Sequence, residues 1–244
     1  MFKFVGTKLA IVVVLSLLFG GLSARADGIQ LITNGNFATG FTGWTMDNEG
    51  NGSWYVLSGT TEPNPSTLGG SIFPTTVGPY PGDTYYASSD QSNPGAHALI
   101  QTFTVPIGDT SIDLSFDMFA NNYGGSTNCN NGVDYTTPNT ECGFVAILAA
   151  GSTLSSPTLV DLLYMGSDPL STNPNPYTAY NYDLSSVLTP GTTYVLAFAE
   201  ADNQGPFNMG IDNVSMIAAP EPGTLGLALM GFGLLVLVRK RLVQ

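Results

Sequence analysis

The chain has 244 residues, with six Lys and Arg against eighteen Asp and Glu, one His and two Cys. All six cations lie near the two ends (Lys3, Lys8, Arg25, Arg239, Lys240, Arg241), so residues 27–219 carry seventeen carboxylates and no Lys or Arg. Phosphate backbones repel such a body, which excludes nucleic acid as a partner, and it lacks the cations that grip phosphate or carboxylate substrates.

Residues 1–26 have the three parts of a secretory signal. Lys3 and Lys8 make the positive start, residues 9–22 the apolar middle, and Ala24 and Ala26 the small pair that signal peptidase reads. Cleavage is expected after Ala26. The exported compartment is oxidising, and Cys129 and Cys142 are the only cysteines. Their pairing closes a short loop, worth about 3 kcal/mol in the chain-entropy model. A two-thiol metal site is the alternative.

The 193 residues of 27–219 suffice for one core. Ile112, Leu114, Phe116 and Met118 alternate with Ser111, Asp113, Ser115 and Asp117, the period of a strand with one buried and one wet face. Residues 193–200 repeat the pattern with Tyr194, Leu196 and Phe198. Residues 54–57, 99–105, 144–149, 159–164 and 210–217 read as further strands, and 184–188 as one helical turn. Many short strands with polar connections predict an all-β fold, a single β-sandwich of jelly-roll type.

The body opens on Leu31, Ile32, Thr33, Asn34, Gly35, Asn36 and Phe37, followed by Gly43 and Trp44. It closes on Gly210, Ile211, Asp212, Asn213, Val214, Ser215 and Met216. The pairing resembles the first and last strands of galactose-binding-like jelly rolls, the fold of many carbohydrate-binding modules. That resemblance implies a structural calcium with Asp212 as a ligand, and the carbonyls of Asn34 or Asn36 are the candidates to join it. Ala38 stands where the related folds carry a second acid. It also implies that Trp44 packs in the core.

Trp54 and Tyr55 are the candidate ligand-binding aromatics, with polysaccharide as the partner class. Tyr80, Tyr85 and Tyr86 lie in a Pro/Gly-rich stretch as loop aromatics, and the Asn-rich stretch 121–141 reads as a solvated, stapled loop. His97 stands near no nucleophile motif, so a Ser-His-Asp triad is not expected. Carboxylate pairs such as Glu200 with Asp202 or Asp117 are all that a glycosidase needs, yet pairs arise without purpose among seventeen acids. The expectation is no enzyme and no catalytic residue.

After Pro220, Glu221 and Pro222, residues 223–238 carry no charge, and Arg239, Lys240 and Arg241 follow. As a helix these sixteen residues span about 24 Å, near the roughly 30 Å of a bilayer core. The basic cluster places the body on the non-cytoplasmic side. The order of motif, apolar helix and basic stop resembles the PEP-CTERM sorting signal, also known as the ice-binding protein C-terminal domain. No Thr-rich repeat suited to ice binding is present. The resemblance implies processing by an exosortase in a Gram-negative, exopolysaccharide-making cell. The expected route is export, transient anchoring in the inner membrane, then the cell surface or matrix. The body's expected role is structural or binding, with a carbohydrate-binding module and a glycoside-active enzyme as the alternatives.

Overall fold

In a computed structural model, the described residues are 28–60, 76–90, 94–122, 133–137, 140–154, 156, 158–165, 174–203 and 207–220. The signal segment 1–26, Cys129 and the tail from Glu221 onward lie outside them. Among the described residues no helix is long and apolar enough to cross a membrane.

Eleven strands run in chain order: β1 Ile29–Gln30, β2 Thr45–Gly50, β3 Ser53–Leu57, β4 Tyr86–Asp90, β5 Gly95–Thr104, β6 Ser111–Asn122, β7 Glu141–Ala149, β8 Thr158–Met165, β9 Thr178–Asp183, β10 Thr193–Asp202 and β11 Phe207–Ala219. They form two sheets, β3-β4-β11-β6-β9 with β1 also on β11, and β2-β5-β10-β7-β8. Apart from β3–β4 and β7–β8, neighbours in each sheet are not consecutive in the chain, and the registered pairs are antiparallel, as in a jelly-roll β-sandwich.

The alternation read from the sequence sets the faces. Ile112, Leu114, Phe116 and Met118 of β6 meet Tyr194, Leu196 and Phe198 of β10 in one core between the sheets. Phe116 stands edge-on to Phe198, centroids 5.0 Å apart, at 88°. Such a pair adds about 0.5–1.5 kcal/mol beyond its buried area. The single turn at 184–188 is present, with the Val187 and Leu188 N–H groups donating to the Leu184 carbonyl at 3.1 and 3.0 Å.

Two features depart from the sequence reading. The opening stretch is not a strand beyond Gln30. Asn34 and Phe37 take positive φ, and 33–43 is a chain of turns. Along β11, Phe207, Met209 and Ile211 face the core, and so do Val214, Met216 and Ala218. The parity changes at Asn213, whose φ of 52° marks a bulge. Without that extra residue one half of β11 would turn its apolar set to the wrong face.

The outer face of the second sheet is also buried. Ala96, Ala98, Ala146, Ala197, Ala199 and Ala201 floor it, and Leu154, Val133 and Tyr135 pack on top. The Leu154 N–H donates to Asp47 Oδ2 on β2 at 2.7 Å, carrying the β7–β8 connection across the sheet. Asn203 Nδ2 donates to the Tyr135 and Thr137 carbonyls, at 2.6 and 3.1 Å. Small side chains leave the depth that these two straps fill.

Candidate functional site

Asp212 is fully buried on β11, next to the bulge. Its Oδ1 accepts from the Asn213 N–H at 2.8 Å and its Oδ2 from the Tyr80 N–H at 3.1 Å. Burial pushes its carboxyl up to about 7; the two backbone N–H groups pull it back, and Asp83 and Asp117 push it further up. Asn213 Nδ2 donates to Asp117 Oδ2 at 3.2 Å, so the bulge bridges the two acids.

Around this corner the 76–83 segment crosses the outer face of the first sheet. Tyr177 OH donates to the Gly78 carbonyl at 3.0 Å, and burial, with Asp212 next, raises its pKa. The Tyr177 ring meets Tyr80 and Phe119 edge-on at 5.5 and 5.1 Å, and Phe119 lies 6.0 Å from Tyr86. Tyr86 OH bonds Thr76 and the Gly59 carbonyl, and burial pushes it up to about 12. Gly210 makes room for Phe119, whose ring would lie 2.1 Å from a Cβ there. Tyr86 is therefore a buried strand residue rather than a loop aromatic, because it begins β4 beneath the segment.

The opening loop touches β11 close by. The Val214 N–H donates to the Gly35 carbonyl at 3.0 Å, and a Cβ on Gly35 would collide with the Val214 carbonyl. Yet Asn34 spends its polar atoms on its own loop. Its Nδ2 donates to the Gly40 and Thr42 carbonyls at 2.8 and 3.2 Å, and its Oδ1 accepts from the Thr39 N–H at 3.1 Å. Its carbonyl accepts from the Phe37 N–H and from Trp44 Nε1. Asn36 Oδ1 accepts from the Ala38 N–H at 3.3 Å. Calcium takes roughly six to eight oxygens. Of the three proposed ligands Asp212 is the one charged group, and the Asn34 carbonyl already accepts two hydrogen bonds. Among the described residues no group of three or more His, Cys, Asp or Glu is placed to hold a metal.

Trp44 packs in the core against Phe37 and Phe198, centroids 5.5 and 6.1 Å away. Trp54 is buried between the sheets at 2 % exposure, so its ring offers no face to a sugar, while Tyr55 is half-buried on the opposite side of β3. Glu200 and Asp202 are buried on β10, with His97 directly across from Glu200 and Glu141 across from Asp202. Asp117 lies in the other sheet. A glycosidase needs two carboxyls flanking an accessible bond, and this pair is closed off. His97 is a bracket. Its Nε2 donates to the Asn51 carbonyl at 2.6 Å and its Nδ1 meets Asn48 Oδ1 at 3.0 Å. Burial lowers its pKa, with the Asn51 carbonyl pulling the other way. Cys142 is fully buried on β7, and no free cysteine stands among the described residues. The role of Phe119 and Tyr177 was not read from the sequence. The signal was weak, since they lie 58 positions apart and meet only through the fold.

Residues 218–241 match the PEP-CTERM protein-sorting motif. No match is found among curated proteins. Three of the solved structures that resemble the chain illustrate the likeness. The K3 cleaved adhesin domain of Lys-gingipain from Porphyromonas gingivalis is 16% identical, with TM-score 0.48, and the match covers 78% of this chain and 98% of that one. TmCBM61, solved with β-1,4-galactotriose, is 12% identical, with TM-score 0.44, and the match covers 78% and 99%. The enzymatically active domain of bacteriophage CBA120 tailspike protein 4 is 15% identical, with TM-score 0.44 and 78% of this chain covered, but the match spans only 21% of that chain. Likenesses this loose carry no function across.

Proposed function

We propose that this is an exported protein sorted through its C-terminal tail by an exosortase-type protease, with a β-sandwich body that acts without catalysis at the cell surface or in an exopolysaccharide matrix. The match of 218–241 to the PEP-CTERM motif carries the reading. The buried placement of Glu200, Asp202 and His97 supports the non-catalytic part. Signal peptidase at Ala26 and an inner-membrane stage on residues 223–238 complete the route. Polysaccharide is the proposed partner class, and a glycan array on the purified protein addresses it. The route is tested by mass spectrometry of protein from the native host. The mature species should lack both residues 1–26 and the Arg239, Lys240, Arg241 cluster. Intact C-terminal peptides as the main species would leave a plain membrane anchor instead.

A further inference from the structure

The two ends of the body meet. Ile29 pairs with Ala218 and Gln30 with Ile217. Gln30 ties the clasp, with its Nε2 donating to Ser215 Oγ at 2.7 Å and its Oε1 accepting from the Met216 N–H at 2.8 Å. β11 runs antiparallel to β6, because Asn208 meets Asn121 while Asn213 meets Asp117. The C-terminal end of β11 therefore lies beside the start of β6.

That same end of the sandwich holds the β5–β6 turn and the β9–β10 turn. The Val105 N–H donates to the Thr192 carbonyl at 3.0 Å, and the Gly191 N–H to the Val105 carbonyl at 2.8 Å. In the first turn the Asp109 N–H returns to the Pro106 carbonyl, with Gly108 at φ 94° in the position that a type II turn reserves for glycine. This geometry lifts Ile107 to the tip, 91 % exposed. Val187 on the second turn is 45 % exposed and Ile29 is 51 % exposed. Among the described residues, three of the five exposed large apolar side chains thus share the end where the body's chain enters and leaves. Turn tips are ordinarily polar, and nothing in the local backbone requires Ile at 107.

The sorting motif begins on this strand, at residue 218. The apolar run at Gly223 begins five Cα steps after Ala218, a reach of at most about 18 Å. We propose that this end of the sandwich faces the membrane, and that Ile107, Val187 and Ile29 enter the lipid interface while the tail is attached. The proposal rests on the reading of 218–241 as a membrane-held sorting tail. The body has no Lys or Arg, and Asp113 and Asp183 stand opposed on the flank of this end. The contact is therefore apolar, and anionic headgroups do not strengthen it.

The test places a tryptophan at Ile107 or Val187, or at exposed Thr136 beside the long loops, in the full chain. The chain is reconstituted in phosphatidylcholine vesicles with brominated acyl chains. Trp44 and Trp54 are buried and give a constant background. Emission from Ile107→Trp and Val187→Trp should fall, and emission from Thr136→Trp should hold. Replacing a third of the lipid with phosphatidylglycerol should not deepen the quenching, on the order-of-magnitude view that only basic segments gain from anionic lipid. If the chain sediments with the vesicles but all three positions keep their emission, the proposal is overturned and the tail reading stands, leaving this end to a protein partner. A chain that does not sediment with the vesicles overturns both.

Discussion

The two ends of the sandwich are built differently. At one, three of the connections are tight: Pro106 to Asp109, the turn after Ala149, and 184–192. Both termini of the body emerge there, and its tips are apolar. At the other, β6 reaches β7 through residues 123–140, and the strands beneath carry His97, Glu141, Glu200 and Asp202, all buried. Short turns fix their residues by local backbone rules, so their tips are free to be apolar. The long connection needs an anchor to the sheet, which Asn203 supplies, while His97 ties down the short β2–β3 turn. On the proposed orientation, attachment belongs to the first end.

The contrast breaks most severely in the shared core. Phe198→Ala removes the ring that joins β10 to Phe116 and Trp44, and should cost about 3–5 kcal/mol. Both ends should then lose protection together in hydrogen exchange. Loss at one end alone would mean that the two ends fold as separate units.

The second prediction isolates the long-loop end. A Cys129–Cys142 bond would staple that loop to the buried start of β7, and its loss should cost about 3 kcal/mol. Amides of 133–140 should exchange faster in Cys142→Ser, while those of 105–110 and 184–192 stay unchanged. Two free thiols in the mass spectrum of the non-reduced protein would remove the staple from the account.

The third effect depends on pH and lies at Asp212, away from both ends. Its folded pKa is raised from 3.8 to about 7. The folded state thus holds the proton more tightly than the unfolded one. The resulting stability is fully present below about pH 4 and is lost as pH rises through about 7. Asp212→Asn should flatten that part of the stability–pH curve, whose slope is at most about 1.4 kcal/mol per pH unit for one group. A structural calcium engaging Asp212 remains a proposal. It predicts that millimolar calcium raises Tm more than sodium at matched ionic strength, more at pH 8 than at pH 6, and not in Asp212→Asn. Equal responses to both salts would leave only screening.

Much of the framework was legible in the chain. The alternation in β6 and β10 set their inward faces, because a strand's side chains can only alternate. The place of Trp44 and the single turn at 184–188 were also readable, as was the tail. Four strands were less so. Thr45–Gly50 and Thr178–Asp183 lie at sheet edges and are largely exposed, so they show little apolar alternation. Tyr86–Asp90 is short and mostly Ala and Ser, and Ile29–Gln30 is only two residues long. The alanines of β5, β7 and β10 gave no sign that straps cover them, since small residues suit an exposed, a buried or a ligand-facing surface alike.

From the chain alone one reads a cation-free acidic body between two cation-bearing end segments, and strands whose period tells which residues face alike. These are properties of neighbours in the chain. What covers each face is set by the tertiary packing. The Asp212 carboxyl owes its raised pKa to burial, against the pull of a Tyr80 N–H 132 positions away. Glu200 and Asp202 lie inside rather than in a cleft, and Ile29 meets Ala218 at the end that bears Ile107. Burial and proximity belong to pairs of distant segments, and no local pattern encodes which segments will meet.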